Sequence, residues 1–164
     1  MSSFSYSQSF LKHFKVDVAT SALLMLAFFA CPAFVDIVHG DQTAVFAPGI
    51  AELFRHVLVY PFACFDGIYS SDALIGVGLL ISDLSWCAYI IIGLQDKHIR
   101  KPFLPLALLL SLGTLITAWV GALRSSGVGV KPGAFFLTAA FAVAAASCWR
   151  AVIVAWGLRK GEEA

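Results

Sequence analysis

The stretch LLISDLSWCAYIIIGL, residues 79–94, decides the fold because it belongs to a long apolar run yet carries one aspartate near its centre. A helix needs about 20 predominantly apolar residues to cross about 30 Å of hydrocarbon. An ionised side chain inside such a helix is costly unless it is paired, hydrated or protonated. Asp83 is therefore expected to have a counter-charge or a functional role, and it is the first candidate for a functional site.

The composition extends this interpretation to the whole chain. Of 164 residues, 60% are hydrophobic and 13% are charged, and the mean hydropathy is +0.86. Soluble domains carry about 25% charged residues, so this balance predicts an integral membrane protein. The formal net charge is only +1, and the basic residues stand in short groups at the ends of apolar runs. That pattern excludes a nucleic-acid-binding surface, which requires clustered Lys and Arg.

Four apolar runs are long enough to span a bilayer and are predicted as helices at residues 18–38, 73–94, 103–123 and 134–158. Pro32 should kink the first helix. Residues 44–68 are interrupted by prolines and charges, and we predict an interfacial amphipathic or re-entrant segment there. The fold class is therefore all-α, a four-helix membrane bundle forming a single domain over residues 1–164. With four spans the basic groups share one side, so both termini are predicted to be cytoplasmic.

Arg150 is the one basic residue inside the four predicted spans. Placing the second and fourth helices antiparallel about their midpoints puts Arg150 about 6 Å deeper toward the cytoplasm than Asp83. We therefore predict a buried Asp83–Arg150 pair, with the hydroxyls of Ser82 and Ser85 nearby and Trp86 on the same face. The pair could only fix helix register, or Arg150 could reach the headgroups while Asp83 is protonated. Alternatively, these residues line a pocket that binds a lipid-soluble headgroup or relays a proton.

A second polar group falls on the opposite side of the membrane. Asp36 and His39 end the first predicted span, and Glu52 and His56 share one face of the interfacial segment. Two histidines and two carboxylates could coordinate a transition metal or form a general acid–base pair. A solvated polar rim explains the same residues, and none of the established zinc motifs is present. Both interpretations stay open.

The stretch DLSWCAYIIIGLQDKHIR, residues 83–100, resembles the DoxX-like group of small membrane proteins. Asp83 precedes the Gly-Leu pair at 93–94 at the spacing kept by the helical glutamate of that group, and Lys97 or Arg100 follows as the basic residue. The order of spans, interfacial segment and basic turn is also similar. The resemblance implies a four-helix membrane protein associated with redox partners such as quinone- or thiol-linked oxidoreductases.

These observations favour a non-catalytic role, because the chain shows no nucleophile elbow, phosphate-binding glycine loop or H-E-x-x-H motif. We expect either an accessory subunit of a membrane complex or a binder of a small hydrophobic ligand, organised around Asp83 and Arg150. The alternatives are a quinone- or metal-linked oxidoreductase component and a small proton-coupled transporter. The sequence identifies no cofactor, although a quinone or a lipid would fit.

The expected surroundings follow from the same features. The partners are the lipid bilayer and either other membrane subunits or a second copy of the chain, with no nucleic acid. The expected location is a bacterial inner membrane or an organellar membrane.

Overall fold

The computed structural model describes residues 8–37, 44–48, 70–95, 103–124 and 132–162. Its four long helices are α1 (Gln8–Ala30), α2 (Ser70–Leu94), α3 (Phe103–Arg124) and α4 (Pro132–Glu162). Each contains a stretch long and apolar enough to cross a membrane, namely Phe10–Ala30, Leu74–Leu94, Phe103–Val120 and Pro132–Gly157. The prediction of four helices of spanning length is confirmed.

Neighbouring helices run antiparallel. The contacts that fix their register are Thr117–Thr138 and Ser111–Trp149 between α3 and α4, Ser21–Ala140 and Asp17–Arg150 between α1 and α4, and Gly78–Ile116 and Ser82–Leu109 between α2 and α3. The helices therefore alternate in direction along the chain, and α2 and α4 run the same way. This corrects the antiparallel placement of the second and fourth helices. We call the end that carries the start of α1 and the close of α4 the terminal end, and the opposite one the hairpin end.

The first helix departs most from its prediction. It begins at Gln8 and ends at Ala30, whereas the predicted span covered residues 18–38. A proline disfavours helical geometry in the residue before it, so Pro32 ends the helix where a kink was expected. The earlier start brings Asp17 inside the spanning segment. The spanning helices therefore contain a second aspartate besides Asp83 that could pair with Arg150.

A short β-hairpin follows α1. Strand β1 (Pro32–Ile37) pairs antiparallel with strand β2 (Ala44–Pro48), and β1 packs against the hairpin ends of α1, α3 and α4. The four-helix bundle is consistent with the all-α prediction, and the hairpin is an additional element that was not predicted. The first five residues of the predicted interfacial segment are thus strand, and residues 49–68 lie outside the described part of the chain.

The bundle is apolar inside and outside, as expected for helices that face lipid. Tyr89, Phe28, Phe141 and Leu110 are fully buried, while every helix also has large apolar side chains that are exposed. Trp119 and Trp156 are both exposed, and the antiparallel register separates them by about 30 Å along the bundle. That separation matches the hydrocarbon thickness, so these two tryptophans are placed as interfacial anchors.

One hydroxyl group joins three helices in the middle of the bundle. Ser21 of α1 donates a hydrogen bond to the carbonyl oxygen of Ala140 in α4 at 2.8 Å. The indole Nε1 of Trp86 in α2 donates to the same hydroxyl at 2.8 Å. Ser21 is fully buried, so lipid and bulk water do not reach its hydroxyl group.

Replacing Ser21 with alanine should therefore lower the free energy of unfolding by about 1–2 kcal/mol, because it leaves the Trp86 indole unpaired in an apolar interior. The measurement is reversible unfolding in mixed micelles with increasing SDS. Thr20→Ala is the matched control, since Thr20 is exposed and bonds only to the carbonyl of Val16 in its own helix. Equal losses from the two variants would contradict the assigned role of Ser21.

Candidate functional site

The guanidinium of Arg150 forms an ion pair with the carboxylate of Asp17 in α1. This replaces the predicted Asp83–Arg150 pair. The side chain of Asp17 is 19% exposed and that of Arg150 is 52% exposed, so the pair lies at the edge of the bundle near its terminal end. Along the bundle axis, Arg150 lies further from Asp83 than the predicted offset of about 6 Å.

Helix register explains the exchange of partners. A Cβ atom at Gly113 would meet both the Ser82 side chain and the Phe141 ring, so these two residues of α2 and α4 lie at one depth. Arg150 is nine residues beyond Phe141 on α4, which places it about 12 Å closer to the terminal end than Asp83. Asp17 lies in the part of α1 that faces the segment of α4 around Arg150.

The other residues predicted around Asp83 have separate roles. Asp83 is buried, at 7% exposure, but the neighbouring serines direct their protons to backbone carbonyls. Ser82 donates to Gly78 at 2.8 Å, and Ser85 donates to Ile81 at 2.7 Å. Trp86 donates to Ser21, as described above. Arg150 is paired with Asp17, and the ligand-binding or proton-relay role predicted for the group around Asp83 stays a prediction.

The predicted metal site is only partly covered by the structure. Asp36 lies in β1, opposite Val45 of β2, while His39, Glu52 and His56 lie outside the described residues. Within the described ranges, no group of three His, Cys, Asp or Glu side chains could hold a metal ion. The metal site stays a prediction.

Two buried hydroxyls stand out in the terminal half of the bundle. Tyr89 of α2 is fully buried and Ser147 of α4 is 1% exposed. Among the described residues, neither the phenolic oxygen nor the serine oxygen has a partner at hydrogen-bond geometry, although Ser147 lies near enough to interact with Tyr89. The Tyr89 ring is held in place by an edge-to-face contact with Phe14, with 5.6 Å between ring centroids.

Ser147 differs from the other hydroxyl side chains of the helices. Elsewhere in the described helices, each serine or threonine with a described side chain donates to a backbone carbonyl: Thr20, Ser82, Ser85, Ser111, Thr114, Thr117 and Thr138 within their own helix, and Ser21 across to α4. Bonding to the carbonyl four residues back is the usual arrangement for such residues in apolar helices. Ser147 does not adopt it, so its hydroxyl is left for a partner outside its own helix.

The ion pair lies beside these hydroxyls. Asp17 and Arg150 are both within electrostatic range of the Tyr89 hydroxyl, and their opposite charges cancel within the pair. Tyr89, Ser147, Asp17 and Arg150 thus form one group contributed by α1, α2 and α4, which we call the polar site. It combines two uncharged hydrogen-bonding groups in the interior with a neutralised ion pair at the edge.

Sequence reasoning missed most of this site. Tyr89 and Ser147 are uncharged and stand in apolar runs, where such residues need no special explanation. Asp17 was placed outside the first span. A usable signal was present, however, because Phe10, Phe14 and Val18 recur at helical spacing and continue the apolar face of α1 past Asp17.

The chain matches no family model, no curated protein and no solved structure in the comparisons made. The resemblance of residues 83–100 to DoxX-like proteins therefore stays a prediction, and the functional argument depends on the polar site.

Proposed function

We propose that this protein is a non-catalytic membrane component that binds a small lipid-soluble ligand inside its helical bundle, at the polar site. The observation that carries the proposal is the pair of buried hydroxyls, Tyr89 and Ser147, that have no hydrogen-bond partner in the part of the chain that the structure describes. A buried polar group left unsatisfied costs about 1–3 kcal/mol. A bound molecule that accepts hydrogen bonds from both groups would remove this cost and would account for their conformations.

The packing of the helices supports access from the lipid. Tyr89 lies five residues before the last residue of α2, about 7 Å from the terminal end. Of the neighbouring helix pairs around the bundle, α1 and α2 pack least extensively, and their contact includes the Trp86–Ser21 hydrogen bond. A lipid-soluble molecule would therefore enter most easily between α1 and α2. Ligand sites between the helices of a bundle are common.

The distribution of charge supports an orientation for this site. Lys12, Lys15 and Arg150 are exposed near the terminal end, and the positive-inside rule favours the cytoplasmic side for such residues. The proposal therefore includes a cytoplasmic terminal end, in a bacterial inner membrane or an organellar membrane. An accessory role in a membrane complex, including one with redox partners of the DoxX-like type, is compatible with ligand binding.

The proposal predicts a bound small molecule in the purified protein. The full chain is purified in mild detergent, and native mass spectrometry with solvent extraction identifies what accompanies it. We expect one tightly held molecule per chain, and about 5–10-fold lower occupancy in Tyr89→Phe, because the variant loses one hydrogen bond but keeps the ring that contacts Phe14.

Ser85→Ala is the matched control for Ser147→Ala, because Ser85 is also buried but bonds within its own helix. Occupancy should fall in Ser147→Ala and stay unchanged in Ser85→Ala. Partner subunits at fixed stoichiometry with no retained small molecule would contradict ligand binding and would favour the accessory role alone. Unchanged occupancy in Tyr89→Phe would show that the ligand binds elsewhere.

A further inference from the structure

We propose that the ligand bound at the polar site carries an uncharged head with a hydrogen-bond acceptor oxygen, such as the carbonyl of a ketone, ester or amide. This inference rests on the proposed function and assigns the chemical class of the ligand. Three features of the polar site support it: the hydrogen-bonding capacity of the two hydroxyls, the charge balance around them, and the size of the side chains beside Ser147.

The hydroxyls require an acceptor. Tyr89 and Ser147 each have one proton to donate, and apart from each other neither has an acceptor among the described residues. A carbonyl oxygen has two lone pairs and can accept both hydrogen bonds. An ammonium head offers only donors, so it would leave both hydroxyl protons unsatisfied and would gain only contacts to the hydroxyl oxygens.

The charge balance favours an uncharged head. Among the described residues, the charged side chains that act on Tyr89 are Asp17 and Arg150, which already neutralise each other as an ion pair. A carboxylate at the Tyr89 hydroxyl would have to compete with Asp17 for Arg150 or remain without a counter-charge. Burying an unpaired charge costs far more than one hydrogen bond returns. A neutral head avoids both costs.

Small and aromatic apolar side chains surround the two hydroxyls. Ala144 and Ala151 lie one turn before and after Ser147 on α4 and are fully buried. On the Tyr89 side, Phe14 contacts Tyr89 and also Phe103, with 5.6 Å between ring centroids in each pair. These rings present apolar surface suited to an aliphatic chain.

The test compares three amphiphiles that have the same aliphatic chain and differ only in the head: a methyl ketone, a carboxylate and a primary ammonium. Binding to the purified full-length protein is measured by quenching of tryptophan fluorescence in mild detergent. We expect the ketone to bind about 10-fold more tightly than either charged analogue. Tyr89→Phe and Ser147→Ala should each weaken ketone binding about 5–10-fold, and Ser85→Ala should leave it unchanged.

An infrared measurement tests the hydrogen bonds directly. With an isotopically labelled ketone carbonyl, the stretching frequency should fall on binding and should return toward its value in detergent in Tyr89→Phe. Tighter binding of a charged analogue that still depends on both hydroxyls would overturn the assigned head but leave the proposed function intact. Saturable binding by none of the three would overturn both. Ketone binding that is insensitive to Tyr89→Phe would show that the ketone binds away from the Tyr89 hydroxyl, and would also overturn the inference.

Discussion

Replacing Gly113 with alanine is expected to lower the free energy of unfolding by about 2 kcal/mol and to reduce the yield of folded protein. A Cβ atom at this position would lie 2.5 Å from the Ser82 oxygen, 2.6 Å from the Ser82 Cβ and 3.2 Å from the Phe141 ring. Both neighbours are fully buried, and Ser82 is held by its hydrogen bond to Gly78. The methyl group must therefore push α3 away from α2, which weakens packing along the small-residue contact between them.

Gly157→Ala is the matched control, because no atom lies within 4 Å of the position that its Cβ would occupy. It should be neutral or slightly stabilising, since alanine favours a helix more than glycine does. Both variants are unfolded reversibly by SDS in mixed micelles. Adding Ser82→Gly to Gly113→Ala should recover part of the lost stability by removing the nearest atoms. Equal stability of the two single variants would show that α2 and α3 do not approach closely at Gly113.

The lengths of three helices could be predicted from the sequence, and the length of the first could not. The predicted spans 73–94, 103–123 and 134–158 agree with α2, α3 and α4 because those apolar runs are bounded by polar loops. In α1 the apolar run is only the second part of the helix, since its first turns contain Lys12, Lys15 and Asp17 on their exposed or edge positions. A hydropathy criterion therefore begins the helix too late.

The candidate site was less predictable because it depends on helix register. Asp83 was paired with Arg150 because Arg150 is the one basic residue inside the predicted spans, but the relative depth of α2 and α4 is set by close contacts such as those at Gly113. The hydrogen-bond partners of the helix serines were equally unpredictable from the sequence. Ser82 and Ser85 bond to their own helix and Ser147 does not. The sequence does not show this difference, because the side-chain conformation depends on packing against the neighbouring helices.

The second large effect is expected from separating the Asp17–Arg150 ion pair, and it should be unequal for the two partners. Arg150→Met leaves the Asp17 carboxylate beside the apolar interior without its counter-charge, and the short aspartate side chain cannot reach the headgroups. We expect a loss of about 2 kcal/mol. Asp17→Asn leaves Arg150, whose long side chain is already half exposed and can extend to the headgroups, so the loss should be about 1 kcal/mol or less.

The double variant, in which Asp17→Asn is combined with Arg150→Met, decides whether this asymmetry comes from an uncompensated charge. Removing both charges should make the protein more stable than Arg150→Met alone, because the cost of the single variant is the isolated carboxylate rather than lost packing. Lys12→Met is the control for removing an exposed cation from the same end of the bundle, and it should change stability little. If the effects of the two single changes simply add, Asp17 and Arg150 are not coupled, and the edge of the polar site is not held together by their charges.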